Sequence, residues 1–121
     1  MKEAVMAQQE YMAGMLRLLI LNELSRGEGY GYGIARGIVE RSGGDLTVRP
    51  ESLYPVLHRM EQEGLLSCQW IEADNGRPRK VYTLTKKGRG RWEKGREQFT
   101  KQAHGALKAI GSEPGTSGAG S

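Results

Sequence analysis

Cysteine occurs once in these 121 residues, at Cys68, so no internal disulfide can brace the chain. A single domain of this length can bury its own core without a bridge or a metal, and a lone thiol suits a reducing compartment. Long hydrophobic runs are missing too. No apolar stretch reaches the roughly 18 residues of a membrane-spanning helix. The opening MKEAVMAQQEYM lacks the continuous apolar segment and small-residue cleavage site of a signal peptide. The expectation is a cytoplasmic protein. Histidine is equally scarce: His58 and His104 are the only two, and no C-x-x-C or H-x-x-x-H spacing exists. No metal site, cofactor or catalytic constellation is expected, and the chain does not read as an enzyme.

Anions are almost absent from one window. Between Gly76 and Arg96 stand nine cations: Arg77, Arg79, Lys80, Lys86, Lys87, Arg89, Arg91, Lys94 and Arg96. Glu93 is the only anion there, so the window carries +8 while the whole chain carries +4. The other residues are therefore net acidic, and the molecule has a positive pole suited to a polyanion. The alternative is a helix face whose long basic side chains are simply solvated.

Periodicity divides the chain. Met12 to Leu24 places apolar residues at 12, 15, 16, 19 and 20, the spacing of a helix packed on a core. Leu18, Leu21 and Leu24 add a second stripe, which predicts burial on much of its circumference. The glycine-rich SRGEGYGYG that follows contains neither G-x-G-x-x-G nor G-x-x-x-x-G-K-[ST] and does not follow a strand, so it reads as a turn between helices. A second helix is expected over about Tyr32 to Arg41, stopped by Ser42, Gly43 and Gly44. The third, PESLYPVLHRMEQEG, puts Leu53, Val56, Leu57 and Met60 on one stripe and stops at Gly64. Pro55 reads as lying close enough to the first turn for its missing N–H to be harmless. Leu65 to Glu72 and Lys80 to Thr85 alternate as strands, and Asn75-Gly76 predicts a two-residue hairpin turn between them. Thr85 then caps a last helix running to about Ile110.

The predicted fold is mainly α with a small β-hairpin: a winged helix-turn-helix with a C-terminal dimerisation helix. Residues 1–11 form an N-terminal arm or helix extension, 12–85 the winged domain, 86–110 the dimerisation helix and 111–121 a disordered tail.

A helix that enters a DNA major groove needs an apolar stripe to hold it and a hydrogen-bonding face opposite. The third helix has both. Off its stripe it offers Ser52, Tyr54, His58 and Arg59, with Arg49 just before it. Free N–H groups at its start favour phosphate oxygens. Tyr54 also fits a partly buried packing residue, and His58 fits a solvated histidine equally well. In the hairpin, Arg77 and Arg79 suit a narrow minor groove, Pro78 stiffens the tip, and Lys80 would meet the flanking phosphate. Lys86 and Lys87 oppose the dipole of the last helix, an arrangement that makes sense beside a phosphate. On that helix Trp92, Phe99, Ala103, Ala106 and Ile110 form a heptad-like seam, either for a second copy of the chain or for its own domain.

GYGYGIARGI, PESLYPVLHRMEQEGLL and GRPRKVYTLTKKG, in that order, resemble the PadR-like transcriptional regulators over roughly residues 12 to 90. The resemblance implies a homodimeric repressor on an inverted-repeat DNA operator, released by a small hydrophobic or aromatic effector. By position, Ser52, Tyr54 and the wing cations correspond to the family's DNA contacts. Trp92 or Phe99 would line an effector pocket at the dimer interface, although core packing also accounts for them. The single short C-terminal helix resembles that of the family's compact subgroup. A rival from another class is a winged-helix protein-interaction module whose basic wing meets an acidic partner. Such modules tend to lose the polar recognition face that this chain keeps.

Overall fold

The computed structural model describes residues 14–112. The arm expected at 1–11, the start of the first predicted helix at Met12 and most of the predicted tail lie outside them. The elements run α1 (Leu16–Leu24), α2 (Gly31–Arg41), α3 (Pro50–Gln62), β1 (Leu66–Glu72), β2 (Pro78–Leu84) and α4 (Lys86–Ile110). This is a mainly helical, winged helix-turn-helix architecture.

The core lies where α1, α2 and α3 meet the root of the hairpin. Ile20, Leu21 and Leu24 come from α1, Ile34, Ala35 and Ile38 from α2, and Leu53, Leu57 and Met60 from α3. Leu65, Leu66 and Tyr82 close it from the wing side. Each helix thus buries the stripe its spacing dictates. Val56 is only partly buried at the edge. Glycine sets how closely the elements approach. A Cβ at Gly37 would collide with the Glu23 carboxylate, which is held by Arg41 at 2.8 Å, and a Cβ at Gly88 would strike the Leu65 carbonyl.

Helix ends follow local chemistry. Glycine at φ +67°, +85° and +80° ends α2 at Gly43 and Gly44 and α3 at Gly64, conformations that cost other residues a steric penalty. Thr85 Oγ1 accepts from the Gly88 N–H at 2.9 Å and caps α4. Pro55 is a correction. Helix α3 has its N-cap at Arg49, so Pro55 lies beyond the four free N–H groups and removes the bond that Glu51 would have accepted. The helix continues through it.

The hairpin is antiparallel, with Leu66 opposite Leu84 and Glu72 opposite Pro78. Its turn is wider than two residues. Ala73 N–H donates to Arg77 at 2.9 Å and Gly76 N–H to Ala73 at 2.8 Å, leaving Asp74, Asn75 and Gly76 as the loop. The Asn75 side chain accepts from the Arg77 N–H at 3.0 Å, and Gly76 takes the left-handed conformation at φ +81°. That is a turn closed by one bulged glycine instead of the two positive-φ residues of the tighter hairpin. Gly29 adds a short bridge to β2, exchanging both backbone bonds with Tyr82 at 3.0 and 2.7 Å. The glycine-rich stretch is therefore part of the sheet as well as a turn.

Helix α4 has 25 residues and is about 37 Å long. It packs on α1 and β2 through its first half. Among the described residues no helix is long and apolar enough to cross a membrane.

Candidate nucleic-acid interface

Helix α3 keeps its polar side free. Tyr54, His58 and Arg59 are exposed along it, Ser52 is half-buried in its first turn, and Arg49 is exposed at its N-cap. No side chain caps this end; Pro50 has no N–H, the Ser52 N–H donates to the Arg49 carbonyl at 3.0 Å, and the positive end of the dipole is left uncapped.

The wing rises beside α3, and Tyr54 of that helix lines a cleft with it. The Arg79 guanidinium lies 4.1 Å from the Tyr30 ring centroid, which anchors the cation across the mouth of α2. Tyr30, Tyr32, Tyr54, Trp70, Arg77 and Arg79 line one cleft of about 630 Å³. A Cβ at Gly31 would come within 2.6 Å of the Tyr54 ring, so only glycine lets that ring lie against the start of α2. Among the described residues, no carboxylate pairs with Arg49, Arg59, Arg77, Arg79 or Lys86. Two arginines without a carboxylate partner among the described residues and these aromatic rings thus share one concave surface. Such a surface can hold a sugar–phosphate strand, through charge, hydroxyl donors and stacking.

Comparison with known proteins gives this surface its context. The family model described as "Transcriptional regulator PadR-like family" matches residues 20–94. The chain belongs to the PadR-like family. Transcriptional regulator Rv3488 of Mycobacterium tuberculosis is 32% identical to it over 112 residues, covering 93% of this chain and 98% of the relative. Transcriptional regulator YqjI of Escherichia coli is 33% identical over 91 residues, 75% of this chain. The match spans only 42% of YqjI's own length. Bacillus subtilis PadR, solved in complex with operator DNA, superposes with a TM-score of 0.61 at 28% identity, covering 66% of this chain and 45% of that one.

Three residues of this PadR-like chain stand elsewhere than their spacing suggested. Lys80 lines the cleft but is engaged within the chain: its Nζ donates to Glu61 Oε1 at 3.1 Å and lies 5.4 Å from the Tyr82 ring centroid. The bond to Glu61 is the largest influence holding its pKa above the ordinary lysine value. Lys87 donates to the Glu63 carbonyl at 2.8 Å, so this ammonium serves the C-terminus of α3, where a cation is favoured by the dipole. Trp92 makes contacts within its own chain: its indole N–H donates to Asn22 Oδ1 at 3.0 Å on α1, and Arg96 stacks over its ring at 4.6 Å. Phe99, Ala103, Ala106 and Ile110 lie farther along α4, with Phe99 42% and Ile110 72% exposed.

Sequence reasoning missed Tyr30, Tyr32 and Trp70. The alternation of tyrosine with glycine at 29 to 33 was the available signal, since small residues beside rings allow close aromatic packing. Trp70 carried none, because it lies where the strand outruns the core and is 66% exposed.

Proposed function

We propose that this chain is a cytoplasmic, homodimeric DNA-binding repressor that reads an inverted-repeat operator. The observation that carries the reading is the shared cleft: the wing arginines and Tyr54 of α3 face one space. In this reading α3 occupies a major groove, with Tyr54, His58 and Arg59 toward base edges and Arg49 and Ser52 on phosphate. Arg77 and Arg79 hold the neighbouring minor groove, and Lys86 the flanking backbone. The operator complex of Bacillus subtilis PadR supports the assignment to DNA.

Dimerisation is the role we assign to the outer half of α4. Phe99, Ala103, Ala106 and Ile110 recur at steps of four and three, and Phe99 and Ile110 stay exposed in the single chain. A second copy of the helix would cover them and would put two recognition helices on a two-fold axis. A small hydrophobic or aromatic effector bound beside Phe99 would change the angle between copies and release the operator.

The test is selection of bound fragments from genomic DNA, followed by a salt titration. With about eight phosphates neutralised per dimer, log affinity should fall against log salt with a slope near −7. A slope near zero removes the mechanism.

A further inference from the structure

Glu61 stands on the last turn of α3, with both carboxylate oxygens directed at the wing. Oε2 accepts from the Cys68 thiol of β1 at 2.9 Å, and Oε1 accepts from Lys80 Nζ of β2 at 3.1 Å. Cys68 is opposite Tyr82 and Lys80 is opposite Trp70, so the carboxylate spans a diagonal of the ladder and holds both strands at once. Two bonds from one planar group constrain distance and tilt together. The titration behaviour agrees from both ends. The bond from Cys68, then that from Lys80, holds Glu61 below the usual carboxylate value, and the same Glu61 bond raises the thiol above its own. Lys80 and Glu61 retain 27% and 30% of their side-chain exposure, enough burial to limit screening by salt.

The lever is long. Four residue steps separate Lys80 from the tip at Gly76, about 13 Å of chain. A tilt of roughly 10° at the root therefore moves the tip by about 2 Å, more than a hydrogen bond tolerates. We propose that Glu61 is a positioning residue: through Cys68 and Lys80 it sets the angle of the wing against α3. It thereby fixes the separation between groove contacts on the helix and flank contacts on Arg77 and Arg79. The proposal rests on the DNA-binding reading above. It also takes Lys80 out of the set of phosphate contacts.

The experiment uses the full chain and the fragments it selects, with the variants Glu61→Gln, Glu61→Leu, Lys80→Met and Glu61→Leu/Lys80→Met. Glu61→Leu and Lys80→Met should each lower the ratio of selected to random DNA affinity about tenfold and blur protection at the operator flank. The salt slope should change by less than about one per dimer, because the wing arginines keep their charge near the duplex while their register is lost. The double variant should be no worse than the more affected single one, as expected of one coupled unit. Glu61→Gln keeps one acceptor oxygen and so one of the two bonds, and should recover part of the loss. Because Cys68 is the only cysteine, its alkylation by iodoacetamide reports the bracket without DNA. Alkylation near pH 8 should be several-fold faster in Glu61→Leu and unchanged in Arg79→Ala.

A Lys80→Met variant whose slope falls by about two per dimer makes Lys80 a phosphate contact and overturns the proposal. So does a folded Glu61→Leu variant with an undiminished affinity ratio. Should Glu61→Leu fail to fold, Lys80→Met and Glu61→Gln decide the matter on the same readouts. A wild-type chain that selects no fragment overturns the DNA reading, and is told apart from a failure of Glu61 alone because the control itself is then silent.

Discussion

The guanidinium of Arg79, on the wing, stacks on the ring of Tyr30, at the mouth of α2, with 4.1 Å between the carbon and the ring centroid. Forty-nine positions of sequence separate the two. The contact ties the cationic strand to the glycine-rich lead-in and gives the guanidinium a fixed plane. Exposed cation–π pairs are worth about 0.5–1 kcal/mol. Tyr30→Leu should therefore weaken DNA binding about two- to fivefold with the salt slope unchanged, since the charge remains. Arg79→Ala should weaken binding more and also flatten the slope. Parallel salt titrations of both variants separate ordering from charge.

Gly88 and Gly90 lie on the same turn of α4 but in different surroundings. A Cβ at Gly88 would strike the Leu65 backbone carbonyl, whereas one at Gly90 would meet nothing within 4 Å. Gly88→Ala should destabilise the fold by about 2–3 kcal/mol through overpacking against a backbone that cannot yield. Gly90→Ala should stabilise it by up to about 1 kcal/mol, from helix propensity. Thermal unfolding of the two should move in opposite directions.

Trp92 and Phe99 are one heptad apart and should fail differently. Trp92→Phe deletes the bond to Asn22, and stability should fall by about 1 kcal/mol with the oligomeric state unaltered. Phe99→Asp alters an exposed position, so the single chain should fold normally while self-association weakens. Sedimentation velocity across a concentration series, with thermal melts beside it, distinguishes the two.

Glu61 predicts an acid limb. Its carboxyl is held below the ordinary value, so it binds its proton at lower pH when folded than when unfolded. The stability it contributes is complete above the unfolded value of about 4.3 and is lost as pH falls through the lower, folded one. Lys80 works the other way: its raised pKa gives stability that is complete below about 10.4 and is lost above its folded value. The stability difference between wild type and Glu61→Gln should hold constant between about pH 6 and 8 and shrink below about pH 4. Urea unfolding at stepped pH measures it.

The sequence by itself determined the helices, the hairpin and the placement of cations, because each rests on local rules. Apolar spacing names the buried face of α3, glycine after its last turn ends it, and Thr85 caps α4 whatever surrounds them. The tertiary structure decided which charges remain available. Lys80, Lys87 and Arg77 look alike within the chain, yet Glu61 takes the first, the end of α3 takes the second, and the third has no carboxylate partner among the described residues. It likewise turned Gly31 into the seat of Tyr54 and brought Tyr30 beneath Arg79. Hydrogen bonding and stacking act over a few ångströms of space, and separation along the chain does not say which distant groups will share those ångströms.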